Sequence, residues 1–339
     1  MHEPAFWHRP SSWVGRLLMP LGAVYGAVAA QRMTWSGVEV GVPVFCVGNF
    51  HVGGAGKTPT TLALVELLRE LDEVPVVLSR GYGGRLRGPV SVDPERHVAA
   101  DVGDEPLMMA RRVPVVVARD RVAGAALARS RGASVILMDD GFQNPALVKD
   151  TSLIVIDGDR GLGNGRVFPA GPLRAPLPPQ LARTDALVIV GDGTAAAAVA
   201  TAVEAKGGLV LRAHLKPDDA SVVALTGKRV LAFAGIGDPQ RFFATLRKSG
   251  VDVVAEKPFP DHHSFSAAEI DGLIDAACRD GLALVTTQKD LARLGGDVAS
   301  PAAKIVAFAV TLKFDDPARL RRFMVDRLAE ARAKSFRAH

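Results

Sequence analysis

Val-Phe-Cys-Val-Gly-Asn-Phe-His-Val-Gly-Gly-Ala-Gly-Lys-Thr-Pro, residues 44–59, decides how this chain is read. An apolar run from Val42 to Val47 ends in Gly48. Beyond the glycines, Lys57 to Glu70 carries Leu62, Leu64, Val65, Leu67 and Leu68 at helical spacing. Strand, glycine-rich loop and helix in that order form the setting of a phosphate-binding loop. Gly53, Gly54, Ala55 and Gly56 let the backbone turn tightly and aim N–H groups at phosphate oxygens. The helix N-terminus adds positive partial charge. Lys57 is then expected to reach the β- and γ-phosphates of ATP, and Thr58 to offer its hydroxyl to Mg²⁺. The strict spacing asks for glycine at position 51, where this chain has His51. The dense Gly-Gly-x-Gly-Lys-Thr in its strand–helix setting carries the assignment.

Outward from the loop, short apolar runs alternate with helical stretches. Val74 to Leu78, Val113 to Ala118, Val135 to Met138 and Leu153 to Ile156 read as strands, with the Ala-rich helix Arg119 to Arg131 among them. Buried strands alternating with helices indicate a parallel sheet covered on both faces. Gly158 to Pro179 is rich in Gly and Pro and reads as a long functional loop or interdomain connection. Alternation then resumes with strands at Ala186 to Val190, Val230 to Ala234, Val251 to Ala255, Ala283 to Thr286 and Ile305 to Ala309. The expectation is an α/β protein: a P-loop NTPase-like parallel sheet domain over 33–155, a second, smaller α/β domain with a hinge over 156–316, and an N-terminal segment, 1–32, as a membrane-interface helix. A closing helix, 317–334, is free to pack on either domain.

A phosphate loop needs a carboxylate at a neighbouring strand end to hold the metal. Val135-Ile136-Leu137-Met138 delivers Asp139 and Asp140 there. Adjacent residues of an extended segment point to opposite sides, so one can face the metal and the other the substrate or sheet. Gly103-Asp104-Glu105-Pro106 reads locally as a helix start with Asp104 as its cap, and also as a place for a catalytic base. Asp261-His262-His263 contains the adjacent histidine pair, suited either to a polar loop or to orienting a carboxylate. Ser79 to Arg85 combines glycines with Arg80, which can fork onto phosphate, and competes with a plain surface loop. Ala170 to Arg174 and Thr286 to Asp290 are ambiguous alone.

The chain has 339 residues, net charge +5 and 48% hydrophobic residues, which is ordinary globular composition with a mild basic bias. No dense Lys/Arg block or basic-aromatic pattern points to nucleic acid. Cys46 and Cys278 lie far apart in or beside apolar runs and are expected as buried free thiols, in keeping with a reducing compartment. Leu17 to Ala30 is uncharged and follows Phe6, Trp7, Arg9, Trp13 and Arg16. It is shorter than the ~20 residues that span a bilayer. A helix lying in the membrane interface is the leading reading, ahead of a buried helix and of a signal peptide cleaved near Ala27-Val28-Ala29.

The ordered set of motifs resembles one family, the tetraacyldisaccharide 4'-kinases. It comprises the N-terminal aromatic-apolar segment, V-G-N-x-x-V-G-G-x-G-K-T-P at Val47 to Pro59, and S-R-G-Y-G at Ser79 to Gly83. G-D-E-P at Gly103 to Pro106, D-D-G-F-Q at Asp139 to Gln143 and G-P-L-R at Gly171 to Arg174 follow, then F-x-D-H-H at Phe259 to His263 and T-T-x-K-D at Thr286 to Asp290. Asn144, Ala175 and Gln288 depart from the family pattern. The resemblance implies transfer of the ATP γ-phosphate to the 4'-hydroxyl of a tetraacyldisaccharide 1-phosphate, a lipid A precursor, by a peripheral protein on the cytoplasmic face of the inner membrane; a monomer is the expected state. It implies Asp104 as base with His262 as partner, Lys57 and Thr58 in the phosphate loop, and Asp139 and Asp140 near Mg²⁺. Arg80, Arg121 and Arg174 are implied as substrate contacts. The motif Gly-Gly-x-Gly-Lys-Thr by itself also suits a P-loop NTPase switch or metallochaperone, or a membrane scaffold with a structural nucleotide site.

Overall fold

The computed structural model describes residues 4–9, 11–294 and 305–337. Among these residues, thirteen strands form two sheets. The strands are β1 Val44–Gly48, β2 Pro75–Ser79, β3 Val90–Ser91, β4 Val115–Val117, β5 Val135–Asp139, β6 Thr151–Asp157 and β7 Ala186–Val190. They continue as β8 Leu209–Pro217, β9 Arg229–Ala234, β10 Asp252–Pro258, β11 Ala283–Thr287, β12 Ile305–Phe308 and β13 Val310–Phe314. The larger sheet runs β13-β8-β7-β6-β1-β5-β2-β4-β3, and the smaller runs β10-β9-β11-β12. Pairing is parallel throughout except at the two ends of the larger sheet, where β13 lies antiparallel to β8 and β3 antiparallel to β4.

Successive residues of a strand face opposite sides, and β1, buried at every position, shows both. Phe45 and Val47 pack under the helix Lys57–Glu70 through Leu64, Val65 and Leu68. The same layer takes Leu320, Met324 and Leu328 of the closing helix Pro317–Arg337, so that helix returns to the larger sheet. Val44 and Cys46 face the other layer, with Ala125 and Ala128 of the helix Arg121–Ser130. β1 sits between β5 and β6, where the strand order reverses. A crevice at the C-terminal ends of such strands is where open α/β sheets take ligands.

Strand pairing corrects the expected domain boundary at 155/156. β6 and β7, continuously buried apolar runs, add to the larger sheet beside β1, as do β8 and β13. Only β9 to β12 form the second sheet. The chain crosses between the sheets beside Pro217 and again at Ala309, which separates β12 from β13, rather than in the Gly/Pro-rich loop 158–179. That loop is instead a pad for the N-terminus: Trp7 Nε1 donates to Pro169 O at 3.1 Å. A Cβ on Gly22 would stand 2.9 Å from Val167 O, so glycine permits the helix Met19–Met33 to lie on the pad. Its buried residues are Gly22, Gly26 and Met33. Trp13 (74% exposed), Leu17, Leu21, Val24 and Val28 face outward, which removes the buried-helix reading. Ala27 to Ala29 lie inside this helix. Among the described residues no helix is long and apolar enough to cross a membrane.

Cys46 is buried, and burial pushes its thiol up to about 12. Cys278 is exposed, contrary to expectation. The helix Ala267–Asp280 buries Ile270, Leu273 and Ala277 and leaves position 278 off that face.

Candidate active site

The glycine-rich loop closes over the C-terminal end of β1. Gly53 and Gly56 hold φ of +113° and +88°, values that side chains with a Cβ rarely adopt, and Gly56 caps the helix Lys57–Glu70. Asn49 Nδ2 donates to Gly53 O at 3.2 Å, bracing the loop from below, while its buried Oδ1 has no hydrogen-bond partner among the described residues. The segment before the loop is clamped by Gly171 to Arg174. His51 bridges to Leu173, Val52 N donates to Pro172 O at 2.8 Å, and Arg174 N donates to Phe50 O at 2.9 Å.

The acidic pair splits as strand geometry requires. Asp139 ends β5 and is buried, accepting a hydrogen bond from Thr61 Oγ1 at 3.3 Å. Asp140 takes φ +51° and turns away. Its carboxylate receives Arg174 Nη1 at 2.7 Å and Nη2 at 3.1 Å, with Lys57 Nζ at 3.8 Å. Burial opposes ionisation of Asp140, but Lys57 and Arg174 outweigh it and hold its carboxyl low. Asp139 is driven the other way by burial first, then by the charges of Glu105 and Asp140. Arg121 is buried, donates Nη1 to Ala118 O at 2.9 Å, lies in the field of Asp139, and leaves Nε without a hydrogen-bond partner among the described residues. Arg80 is exposed at the end of β2.

Two loops of the larger sheet interlock to present Asp104. Gly103 has φ +94°, and a Cβ there would lie 2.5 Å from Tyr82 O; one on Gly84 would lie 2.6 Å from Asp101 O. Gly103, not Asp104, caps the short helix Asp104–Ala110, so the capping role expected of Asp104 is absent and its buried carboxylate turns toward the second sheet. Asp104 Oδ1 accepts from Glu105 N at 2.9 Å. From the second sheet, His262 arrives after β10 with φ +58° and places Nδ1 3.3 Å from Asp104 Oδ2. Tyr82 meets its ring edge-on at 5.8 Å. Burial alone raises Asp104, but the hydrogen bond with His262 and the charges of Lys289 and Arg293 overcome it and hold the carboxyl far below the usual range.

The structure thus gathers Lys57, Asp139, Asp140 and Arg174 at one end of the crevice, with Arg121 behind them, and Asp104 with His262 at the other. Glu105 links the two ends, since it pairs with Lys289 at 2.9 Å and raises Asp139. Glu105, Lys289 and Arg293 escaped the sequence reading. A glutamate in a helix start and charges on a short helix carry no local mark; Lys289 lay in a noted motif without a role.

A family model for tetraacyldisaccharide-1-P 4'-kinase matches residues 14–329. The chain is 71% identical over 334 residues to a tetraacyldisaccharide 4'-kinase of Nitrobacter hamburgensis, covering 98% of this chain and 100% of the relative. It is 69% identical over 336 residues to one of Rhodopseudomonas palustris, covering 99% of each. Its fold is similar to the crystal structure of the "apo" form LpxK from Aquifex aeolicus in complex with ATP, with a TM-score of 0.73 and 26% identity, covering 93% of this chain and 99% of that one. With a family match over most of its length and two such relatives, the chain belongs to the tetraacyldisaccharide 4'-kinase family.

Proposed function

We propose that this chain transfers the γ-phosphoryl group of ATP to the 4'-hydroxyl of a tetraacyldisaccharide 1-phosphate in lipid A biosynthesis. The observation that carries the mechanism is the meeting of Asp104 and His262, brought from different sheets to 3.3 Å. Phosphoryl transfer asks the protein for positioning and charge neutralisation. Lys57 and the loop amides would neutralise the γ-phosphoryl oxygens. The acceptor oxygen bonds to phosphorus as the bond to the β-phosphate oxygen breaks, and the hydroxyl proton passes to Asp104. A carboxylate held strongly anionic is a weak base, which suits a loose transition state in which that proton leaves late. His262 would hold the carboxylate in line and carry the proton outward. Arg80, Arg121 and Arg174 are proposed to contact phosphate or sugar, with Arg174 shared with Asp140 until substrate arrives.

The donor set fits Mg²⁺. Asp139 is a buried carboxylate whose near neighbours include two further acids, so a cation there would relieve it. Mg²⁺ keeps several waters and is held by one or two carboxylates plus phosphate oxygens, a demand that this acidic pair suits. Thr58 with Asp139 or Asp140 would hold it, and when bound it would screen charge on the β- and γ-phosphates.

The outward apolar face of Trp13, Leu17, Leu21, Val24 and Val28 supports a peripheral seat on the inner membrane, on the cytoplasmic face where ATP is found. The test is ADP release by purified protein with Mg-ATP. The acceptor should accelerate it, an analogue lacking the 4'-hydroxyl should not, and Asp104→Ala should lose about 10²–10⁴-fold. An equal rate with the deoxy analogue overturns the reading.

A further inference from the structure

The helix Gln288–Leu294 sends charged side chains from the second sheet into the crevice. Lys289 pairs with Glu105 at 2.9 Å. Asp290, fully buried, accepts from Thr287 Oγ1 at 2.8 Å and Gly235 N at 3.1 Å. One turn on, Arg293 has a side chain only 8% exposed and uses its whole fork. Nε and Nη2 both donate to Asp104 Oδ2, at 2.8 and 2.5 Å. Nη1 donates to Asp290 Oδ1 at 2.7 Å and Gly235 O at 2.6 Å, and Nη2 lies 3.3 Å from His262 Nδ1.

Asp104 belongs to a helix on the larger sheet; Asp290, Gly235 and His262 belong to the smaller. Arg293 is therefore a bridge between the two, and it ends on the oxygen that faces His262. A guanidinium that gives two N–H groups to one carboxylate fixes its direction as well as its charge. Without it, the buried carboxylates of Asp104 and Asp290 would lose the cation they share. A second clasp joins the sheets elsewhere, with Arg241 paired to Asp157 and Arg160 Nη2 to Asp238 Oδ2 at 2.6 Å. It does not touch Asp104.

We propose that Arg293 is a positioning residue for phosphoryl transfer, coupling the docking of the second sheet to the orientation and charge of Asp104. The inference rests on the kinase reading for the role of Asp104. The groups facing Asp104 are Glu105 on its own helix, His262 with Asp261 behind it, and Lys289, Asp290 and Arg293 from the helix opposite. Arg293 favours the anion, so its removal raises the pH at which Asp104 ionises.

The experiment compares wild type, Arg293→Met, Arg293→Lys, Asp104→Asn, the double variant Arg293→Met/Asp104→Asn, and Arg241→Met. Each is assayed with Mg-ATP and the acceptor across pH. Arg293→Met should lower kcat by about 10²-fold, the scale of a small misplacement. KM for ATP should stay within about threefold. The acid limb of kcat/KM should move up, toward the ordinary carboxylate range. Arg293→Lys should recover part of the loss. In the Asp104→Asn background the same substitution should cost less than about threefold, because the two act as one unit. Arg241→Met, which loosens docking alone, should leave the acid limb in place. Full multiplicative losses in the double variant, or an unmoved acid limb in Arg293→Met, overturn the inference. If Arg293→Met fails to fold, Arg293→Met/Asp290→Asn removes the stranded charge and is read the same way. An active wild type with an unaffected Arg293→Met removes this inference alone; a wild type that leaves the acceptor unphosphorylated removes the kinase reading with it.

Discussion

Replacing Asp139 by asparagine should make the unliganded protein more stable while disabling it. Asp139 is 2% exposed and accepts its hydrogen bond from the Thr61 hydroxyl. Burial, then the charges of Glu105 and Asp140, push its carboxyl from 3.8 up to about 7, against the pull of Lys57 and Thr61. A carboxyl whose folded pKa exceeds its unfolded one opposes folding as pH rises past the unfolded value, and the penalty is complete above the folded value. At about 1.4 kcal/mol per unit, roughly three units set a ceiling of about 4 kcal/mol. An interior that screens like a dielectric of about 20 reduces the realised figure to about 1–3 kcal/mol. Asparagine keeps the shape and the acceptor for Thr61 and removes the charge. Thermal unfolding of Asp139→Asn without Mg²⁺ or nucleotide should therefore lie above wild type at about pH 8, by about 2–4 °C per kcal/mol. The gap should narrow as pH falls from about 7 and close below about 3.8, where both states carry the proton. Mg-ATP should stabilise wild type more than the variant, since only wild type offers the full charge to the cation. Calorimetric scans at three pH values with and without Mg-ATP measure all of this. A variant less stable than wild type at about pH 8, or a gap indifferent to pH, refutes the reasoning.

Lys57→Ala should lower phosphoryl transfer by about 10²–10³-fold, as for removal of one preorganised electrostatic contact; circular dichroism should show the fold intact. Gly103→Ala places a methyl 2.5 Å from Tyr82 O at a φ of +94°. It should cost about 1–3 kcal/mol of stability in denaturant titration and lower kcat, because Asp104 shifts with its cap. Trp13→Glu with Leu21→Glu should weaken flotation with anionic vesicles by about tenfold or more while leaving transfer to a detergent-dispersed acceptor near wild type.

The donor half of the site is legible because local chemistry forces it. A loop such as Gly53 to Thr58 has few other uses between a buried strand and a helix, and Val135 to Asp140 announces a carboxylate at a strand end. Strand existence was equally plain where runs such as Ala186 to Val190 are buried on both faces. Sheet membership was not. β6 and β7 look alike to any parallel sheet, and only the pairing of β6 with β1 and of β7 with β6 assigns them to the larger one. β8 and β13 were missed because Leu209 to Pro217 and Val310 to Phe314 are half-exposed and mix charged with apolar residues. The acceptor half depends on contacts across 150 residues or more. His262 reached Asp104 in the sequence reading only through family resemblance, and Arg293, in no quoted motif, was not reached at all. The N-terminal helix was read as interfacial from its uncharged run, and its glycine face toward the pad explains why its apolar residues remain outside.

The most direct test of the account is transfer of isotopically labelled γ-phosphate from ATP to a tetraacyldisaccharide 1-phosphate acceptor, with the labelled position located by mass spectrometry. The account predicts a bisphosphorylated lipid labelled at the 4'-oxygen, formed one-for-one with ADP and lost in Asp104→Ala. ADP produced at the same rate without acceptor, with the label recovered as inorganic phosphate and none on the sugar, would contradict it and favour an NTPase switch.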